Sequence, residues 1–200
     1  MSYRLLCFIF FPIGLLFASC HLDQRVEGSK EVVEKIKSTQ IKRVTDSQVI
    51  EIVDDWGKRI VKQAQLQLES ALTKSVSDNS QLCLLNTLPK LDTLEKMYAV
   101  EISLLGAKDR KNPALSLTEQ ELINAYVYNA ENQIKPVSNI QKVGDSVLIY
   151  SVPVSIGNII CQKCFPNEAT HLALWHVKFR KNEVIRKVNA KSLEKKRKVS

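Results

Sequence analysis

The sequence predicts an α+β domain, in which helices fill the first half of the chain and antiparallel strands most of the second half. Thr45 to Gln48 match a capping box, and apolar residues recur every three or four positions from Val49 to Val76, which predicts one long amphipathic helix. From Ser138 onward the pattern favours strands, because Val147 to Ile156 is rich in β-branched residues and follows a Gly-Asp turn. We therefore expect an antiparallel sheet with the long N-terminal helix and several short helices packed on one side.

The remaining elements are predicted from capping residues, proline positions and apolar spacing. Trp56 lies on the apolar face of the long helix and is expected to anchor the core, and Met97 is expected to fill it. Pro153 lacks a backbone donor, which places its end of the strand at a sheet edge or a bulge. The later helices are predicted over residues 80–88, 89–98 and 117–133, the last with a capping box from Thr118 to Glu121, and the strands over 98–105, 140–143, 147–156, 174–179 and 183–188. The last two strands are predicted to form a second hairpin.

The N-terminal residues have the pattern of a secretory signal. Arg4 precedes the apolar run Leu5 to Phe17, which is shorter than the roughly 20 residues of a membrane span. Phe17 to Cys20 resembles a bacterial lipobox, which predicts cleavage before Cys20 and attachment of lipid to its thiol. The predicted organisation is a signal peptide (1–19), a lipid-anchored polar tether (20–44), a folded domain (45–190) and a basic tail (191–200). The alternatives are a plain signal peptide with an incidental cysteine and, less favoured, a transmembrane anchor.

The charge balance fits a protein of the bacterial cell envelope. The formal net charge is +8, and the basic residues are concentrated in residues 30–43 and after Lys178. In an exported protein such segments favour anionic phospholipid, so nucleic acid is not an expected partner. We expect a chain held at the membrane by lipidated Cys20, facing the periplasm or the cell surface, with another envelope protein as a further candidate partner.

Cys161 and Cys164 form a C-x-x-C motif that is followed by Phe165. In exported proteins this spacing serves haem attachment when His follows, a redox dithiol, or half of a metal site. The motif is expected in a loop after a strand and not at an activating helix N-terminus, so a disulfide between the two cysteines is favoured over catalysis. A zinc site with His171 and His176 has suitable ligand types, but its Cys-to-His gap is shorter than in zinc fingers.

Several short motifs occur in a particular order between Trp56 and about Val188. They are the long first helix, Gln81 to Cys83, Arg110 to Ala114, Glu119 with Glu121, Tyr150 to Val154, and Cys161 to Phe165. In this order the chain resembles a family of extracytoplasmic PAS-like domains with a single c-type haem, known as cyanobacterial cytochromes and as sensor parts of histidine kinases. It departs from that family at Phe165, where the family has the haem-ligating His, and at Lys111, which is inserted in the loop.

The resemblance implies a PAS-like sheet and assigns roles to three cysteines. Cys161 and Cys164 match the haem-attachment thiols, and Cys83 matches a candidate axial ligand. Because Phe165 has no lone pair for iron, we expect no cofactor and a non-catalytic sensing or binding module that has lost haem c ligation. The alternatives are a single-haem c-type cytochrome with a non-adjacent His as axial ligand, and a thiol-disulfide protein that uses Cys161 and Cys164. No enzyme motif supports a catalytic function.

Overall fold

The computed structural model of the chain describes residues 44–75 and 79–197, with side chains up to residue 189. The predicted signal peptide, the predicted lipid-attachment residue Cys20 and most of the predicted tether lie outside the described residues. Across the described ranges, no helix combines the length and the apolar character needed to cross a membrane.

The described part of the chain forms six α-helices, one 3₁₀ helix and four strands, which is the predicted α+β class. The helices are α1 (Asp46–Lys74), α2 (Ser80–Cys83), α3 (Pro89–Tyr98), α4 (Leu117–Glu131), α5 (Ile159–Cys164) and α6 (Lys181–Arg197), with the 3₁₀ helix at Ala107–Lys111. The strands are β1 (Val100–Leu105), β2 (Asn139–Val143), β3 (Val147–Pro153) and β4 (Leu174–Arg180).

The four strands form one antiparallel sheet in the order β1-β4-β3-β2. Strand β4 therefore lies inside the sheet, between β1 and β3. The prediction of a second hairpin is wrong, because residues 183–188 belong to helix α6. With both edges of β4 already paired, no edge is left for a strand that follows it. Val184, Ile185 and Val188 instead pack as one helical face against the core.

Helix α1 begins at the predicted capping box. The backbone N–H of Gln48 donates to Thr45 Oγ1 at 3.3 Å, and the backbone N–H of Thr45 donates to Gln48 Oε1 at 3.0 Å. Trp56 is buried as predicted, and its ring meets that of Tyr98 edge-on with 5.3 Å between centroids. The predicted apolar face of α1 is buried at Val49, Val53, Ile60, Ala64 and Leu68. Near the end of the helix the buried residue is Leu72 and not the predicted Ala71, which is half-buried, and Val76 lies outside the described residues.

Gly57 allows α1 to approach the sheet closely. A β-carbon at this position would overlap the ring of Tyr150 on β3. Glycine inside a helix costs about 1 kcal/mol relative to alanine. The contact between the ring and the helix backbone is the structural reason for a glycine here.

Helix α4 covers the opposite face of the sheet. Successive side chains of β3 alternate between the two faces, so Tyr150 packs with α1 whereas Ile149 packs with Ile123 and Val127 of α4. The predicted packing of helices on one side describes α1 and the short helices. Helix α4 adds a second layer and a second, smaller core.

Two local predictions are wrong. The capping box of α4 joins Ser116 and Glu119, not Thr118 and Glu121, because the helix begins two residues earlier than that pair requires. Met97 does not fill the core: its relative exposure is 58%, since the inner face of α3 is formed by other residues. Those inner residues are Leu91 and Leu94.

Candidate functional site

The three cysteines of the domain form one disulfide and one buried thiol. Cys83 at the end of α2 is bonded to Cys164 at the end of α5, with 5.5 Å between their α-carbons. Cys161 is free and buried. The expected disulfide between Cys161 and Cys164 is therefore wrong. The sequence spacing could not show this pairing, because only tertiary packing brings α2 against α5.

The C-x-x-C segment lies on a helix and not in the predicted loop. Cys161 occupies the first turn of α5, but its relative exposure is only 1%. Burial is the main influence on its thiol and raises its pKa above the ordinary value. An attacking thiol needs the opposite, namely access and a lowered pKa. The arrangement therefore does not favour a thiol oxidoreductase.

Polar contacts hold α5 against the C-terminal end of α1. Asn158 caps α5 by accepting from the backbone N–H of Ile160 at 2.9 Å, and its side-chain amide donates to Glu69 Oε1 at 2.6 Å. Lys163 Nζ donates to the carbonyl of Leu72 at 2.6 Å and to that of Ser75 at 3.2 Å. These two carbonyls belong to the last turn and the cap of α1, where a cation also interacts favourably with the helix dipole. The segment thus serves as a structural clasp.

Phe165, where the resembled family has its iron ligand, is a core residue. Its relative exposure is 7%, and its ring lies so close to Gly106 that a β-carbon there would overlap it. The carboxylate of Glu168 accepts from the backbone N–H of Ala107 at 2.6 Å, which holds the same two segments together. The ring therefore fills the interior at this position.

In the described part of the chain, few groups remain that could hold a metal or haem iron. The disulfide takes Cys83 and Cys164, which removes Cys164 from the zinc alternative and Cys83 from the axial-ligand role. Within residues 44–75 and 79–197, no cluster of three or more His, Cys, Asp or Glu side chains is arranged to hold a metal ion. Both ring nitrogens of His176 are hydrogen-bonded within a separate buried network.

A buried polar network lies between β4, β3 and α4. His176 Nε2 is 3.1 Å from Glu119 Oε1, and His176 Nδ1 is 3.3 Å from Ser151 Oγ. A carboxylate only accepts, so Nε2 carries the hydrogen, and the Ser151 hydroxyl donates to Nδ1. Lys178 Nζ lies 2.9 Å from the same Glu119 oxygen, and the hydroxyl of Ser116 donates to the second oxygen at 2.6 Å. Each group thus has a partner of the correct polarity.

The network fixes the charge states of its members. Burial raises the pKa of Glu119, but hydrogen bonds from Ser116, Lys178 and His176 outweigh it and lower that pKa to about 2. Burial lowers the pKa of His176, against the opposing effect of Glu119. At neutral pH we therefore assign an ionised Glu119, which is paired with Lys178, and a neutral His176.

Ser151, His176 and Glu119 are the residue types of a nucleophilic triad, but the geometry does not serve one. Their relative exposures are 0%, 2% and 4%, so a substrate has no access to the serine hydroxyl. The buried charge is satisfied within the fold, and the network is structural. The sequence contained a signal for it: in β4 the polar His176 and Lys178 alternate with apolar neighbours, which places them on one face.

A pocket of about 410 Å³ opens beside this network. It lies between the end of α4, the segment that follows it, the end of β3 and the residues before β4. Strand β2 pairs with β3 only as far as Ser151, so Pro153 lies beyond the end of β2, as the predicted edge position required. The lining is mainly apolar, and its polar groups come from Tyr126, Gln133, Lys135, Thr170 and His171.

Comparisons with protein-family models, curated proteins and solved structures returned no match to this chain.

Proposed function

We propose that the protein is a non-catalytic binding or sensing domain of the bacterial cell envelope, with a PAS-like fold and a membrane anchor at lipidated Cys20. It works without haem c. The observation that carries this proposal is the Cys83–Cys164 disulfide, which occupies two of the thiols that the haem family uses.

Attachment of haem c needs two free thiols and an iron ligand. In the resembled family, the counterparts of Cys161 and Cys164 bind the haem vinyl groups, and the following His binds iron. Here Cys164 is oxidised, Cys161 is buried, and Phe165 fills the core. All three positions have structural roles, which supports a module that keeps the family's segment order without its cofactor.

The pocket supports a binding role. Small-molecule sites are typically concave, largely preformed, mostly apolar and about 300–1,000 Å³ in volume, with a few polar groups that fix orientation. The pocket near Pro153 has these properties. None of its lining residues belongs to the disulfide or to α5, so ligand binding and the structural clasp use different residues.

The test is expression of the full chain with its own export signal, together with a haem c maturation system. We expect the purified protein to show no Soret band, no haem staining on a denaturing gel, and one disulfide between Cys83 and Cys164 by peptide mass. A covalently bound haem, or free thiols at both positions, would overturn the proposal.

A variant with Cys83→Ala and Phe165→His provides the positive control for the haem c maturation system, because it frees Cys164 and restores the C-x-x-C-H motif.

The membrane anchor is tested separately with Cys20→Ser. We expect this variant to leave the membrane fraction, whereas wild-type protein stays in it and incorporates labelled fatty acid. Retention of the variant in the membrane would contradict the lipid anchor.

A further inference from the structure

We propose that the pocket at the end of β3, the carboxylate pocket, binds an aliphatic monocarboxylate, with its chain on the apolar lining and its head near Lys135 and Thr170. This inference rests on the proposed binding role and names the ligand class. Its lining includes none of the cysteines and none of the network residues Glu119, His176 and Ser151.

The pocket walls are held in place by internal hydrogen bonds. The Tyr126 hydroxyl lies 2.9 Å from the carbonyl oxygen of Val137 and 3.2 Å from that of Ser151, so it ties the segment after α4 to β3. On the other wall, the backbone N–H of Val154 donates to the carbonyl of Ala173 at 2.8 Å. The two walls therefore exist before any ligand arrives.

Two of the four non-glycine residues with positive φ in the described part of the chain lie at this pocket. Gln133 and His171 have φ values of 52° and 44°, and both residues line it. Non-glycine residues in this left-handed region cost of order 1 kcal/mol or more, and such residues cluster at binding sites. The strain is maintained by surrounding contacts, including the 2.9 Å bond from the backbone N–H of Ile134 to the carbonyl of Asn129.

The lining favours an apolar chain. Ile134 and Ile156, at the mouth, have relative exposures of 47% and 77%, and Val154 and Leu172 are buried deeper in the lining. When an apolar ligand covers large exposed aliphatic side chains around a concave site, apolar surface is removed from water, and this burial favours binding. A linear hydrocarbon chain matches this aliphatic surface.

The polar groups favour an anionic head. Lys135 and His171 line the pocket, and no carboxylate side chain is among the lining residues. His171 Nδ1 lies 3.3 Å from the carbonyl oxygen of Phe165, so its hydrogen is already used within the fold and the charged donor for a ligand carboxylate is Lys135. The Thr170 hydroxyl is buried and has no hydrogen-bond partner within the described residues. An unpaired buried hydroxyl is costly, and a ligand oxygen would satisfy it.

The experiment uses the full chain in lipid nanodiscs, titrated with carboxyl-labelled octanoate and followed by carbon NMR, with empty nanodiscs subtracted. We expect saturable binding at one site. Octanol, which has the same chain but no charge, should bind at least about fivefold more weakly, the ratio given by one exposed ion pair. Absence of saturable octanoate binding, or equal affinity for octanol, would overturn the inference.

Variants distinguish the loss of contacts to the ligand head group from the loss of the fold. Lys135→Ala and Thr170→Val should each weaken octanoate binding by about threefold to tenfold, whereas Lys111→Ala, at an exposed position outside the pocket, should not change it. Equal affinities for wild type, Lys135→Ala and Thr170→Val would contradict the proposed site. Circular dichroism of each variant confirms that the fold is intact.

The haem assay and the octanoate titration fail independently. A covalent haem with octanoate still bound at this pocket would remove the proposed function and leave the carboxylate site standing. No haem and no octanoate binding would remove the carboxylate site alone.

Discussion

The two faces of the sheet are built from different interactions. On the face covered by α1, the buried residues are almost entirely apolar, and the Cys83–Cys164 disulfide joins two short helices beside them. On the face covered by α4, a smaller apolar core borders the Glu119–His176–Ser151 network and the carboxylate pocket. The buried charge therefore lies on the second face, and covalent and packing stability on the first.

The comparison shows that a motif with known chemistry can have a structural role. The C-x-x-C motif is the strongest chemical signal in the sequence, yet its cysteines belong to the apolar face, where one is oxidised and the other buried. The α4 face carries no motif of similar strength. Its polar groups come from three separate elements, which only the fold brings together.

The largest expected effect comes from breaking the disulfide of the α1 face. Because the bond closes a loop with a sequence separation of 81, its loss in Cys83→Ala/Cys164→Ala should lower the free energy of unfolding by about 4 kcal/mol. Urea denaturation of wild type and variant measures this difference. Cys161→Ala is the matched control and should cost about 1 kcal/mol, because it removes only one buried sulfur. Equal effects of the two changes would contradict a structural role for this bond.

The second-largest expected effect is the loss of folding stability in acid, which comes from the α4 face. The pKa of Glu119 is about 2 in the folded protein and 4.5 ordinarily, so the unfolded chain takes up the proton first as the pH falls. Its contribution to stability is present above pH 4.5 and is lost as the pH falls toward 2, by about 3 kcal/mol. His176 has a lowered pKa too, so its contribution is lost in the same direction, starting near pH 6.5.

Unfolding free energies measured from pH 7 to pH 2 test this prediction. Glu119→Gln should lose stability at pH 7 and should show a shallower acid dependence. Glu121→Gln, which changes an exposed carboxylate two residues away, should behave like wild type. A full acid dependence in Glu119→Gln would refute the assignment of an ionised, buried Glu119.

A smaller effect tests the contact between α1 and the sheet. Alanine in place of glycine normally stabilises a helix by about 1 kcal/mol. Gly57→Ala should instead destabilise the protein by about 2 kcal/mol, because its β-carbon would overlap the ring of Tyr150. In a Tyr150→Leu background the penalty should shrink, and thermal denaturation of the four proteins in this cycle measures the coupling. A gain in stability from Gly57→Ala alone would disprove the close approach.

The smallest effect tests whether electrostatics matters on the α1 face. Lys163→Met keeps the side-chain stem but removes the hydrogen bonds to Leu72 and Ser75, so we expect a loss of about 1 kcal/mol. Lys90→Met, at an exposed site, should cost less than about 0.5 kcal/mol. A loss from Lys163→Met as large as that from Glu119→Gln would show that charge is equally important on both faces.

Local signals predicted much of the fold. The capping box at Thr45, the periodicity of α1, helix α3 and the β2–β3 hairpin were all readable, because each depends on residues close in sequence. Residues 183–188 were predicted as a strand because their composition suits one, and they form a helix because the neighbouring strand has no free edge. The capping box of α4 lies two residues before the predicted one, and helix ends are commonly uncertain by one or two residues.

The α+β class, the long first helix and a C-x-x-C motif without the histidine that haem c attachment requires can all be read from the order of the amino acids. The pairing of Cys164 with Cys83, the contact of Glu119 with His176, and the meeting of Lys135 and His171 at one pocket are visible only in the folded chain. The two groups of features differ in how far apart along the sequence the interacting residues lie. Hydrogen bonds and apolar periodicity within an element depend on residues a few positions apart, whereas these pairings join residues separated by dozens of positions and depend on how the layers pack.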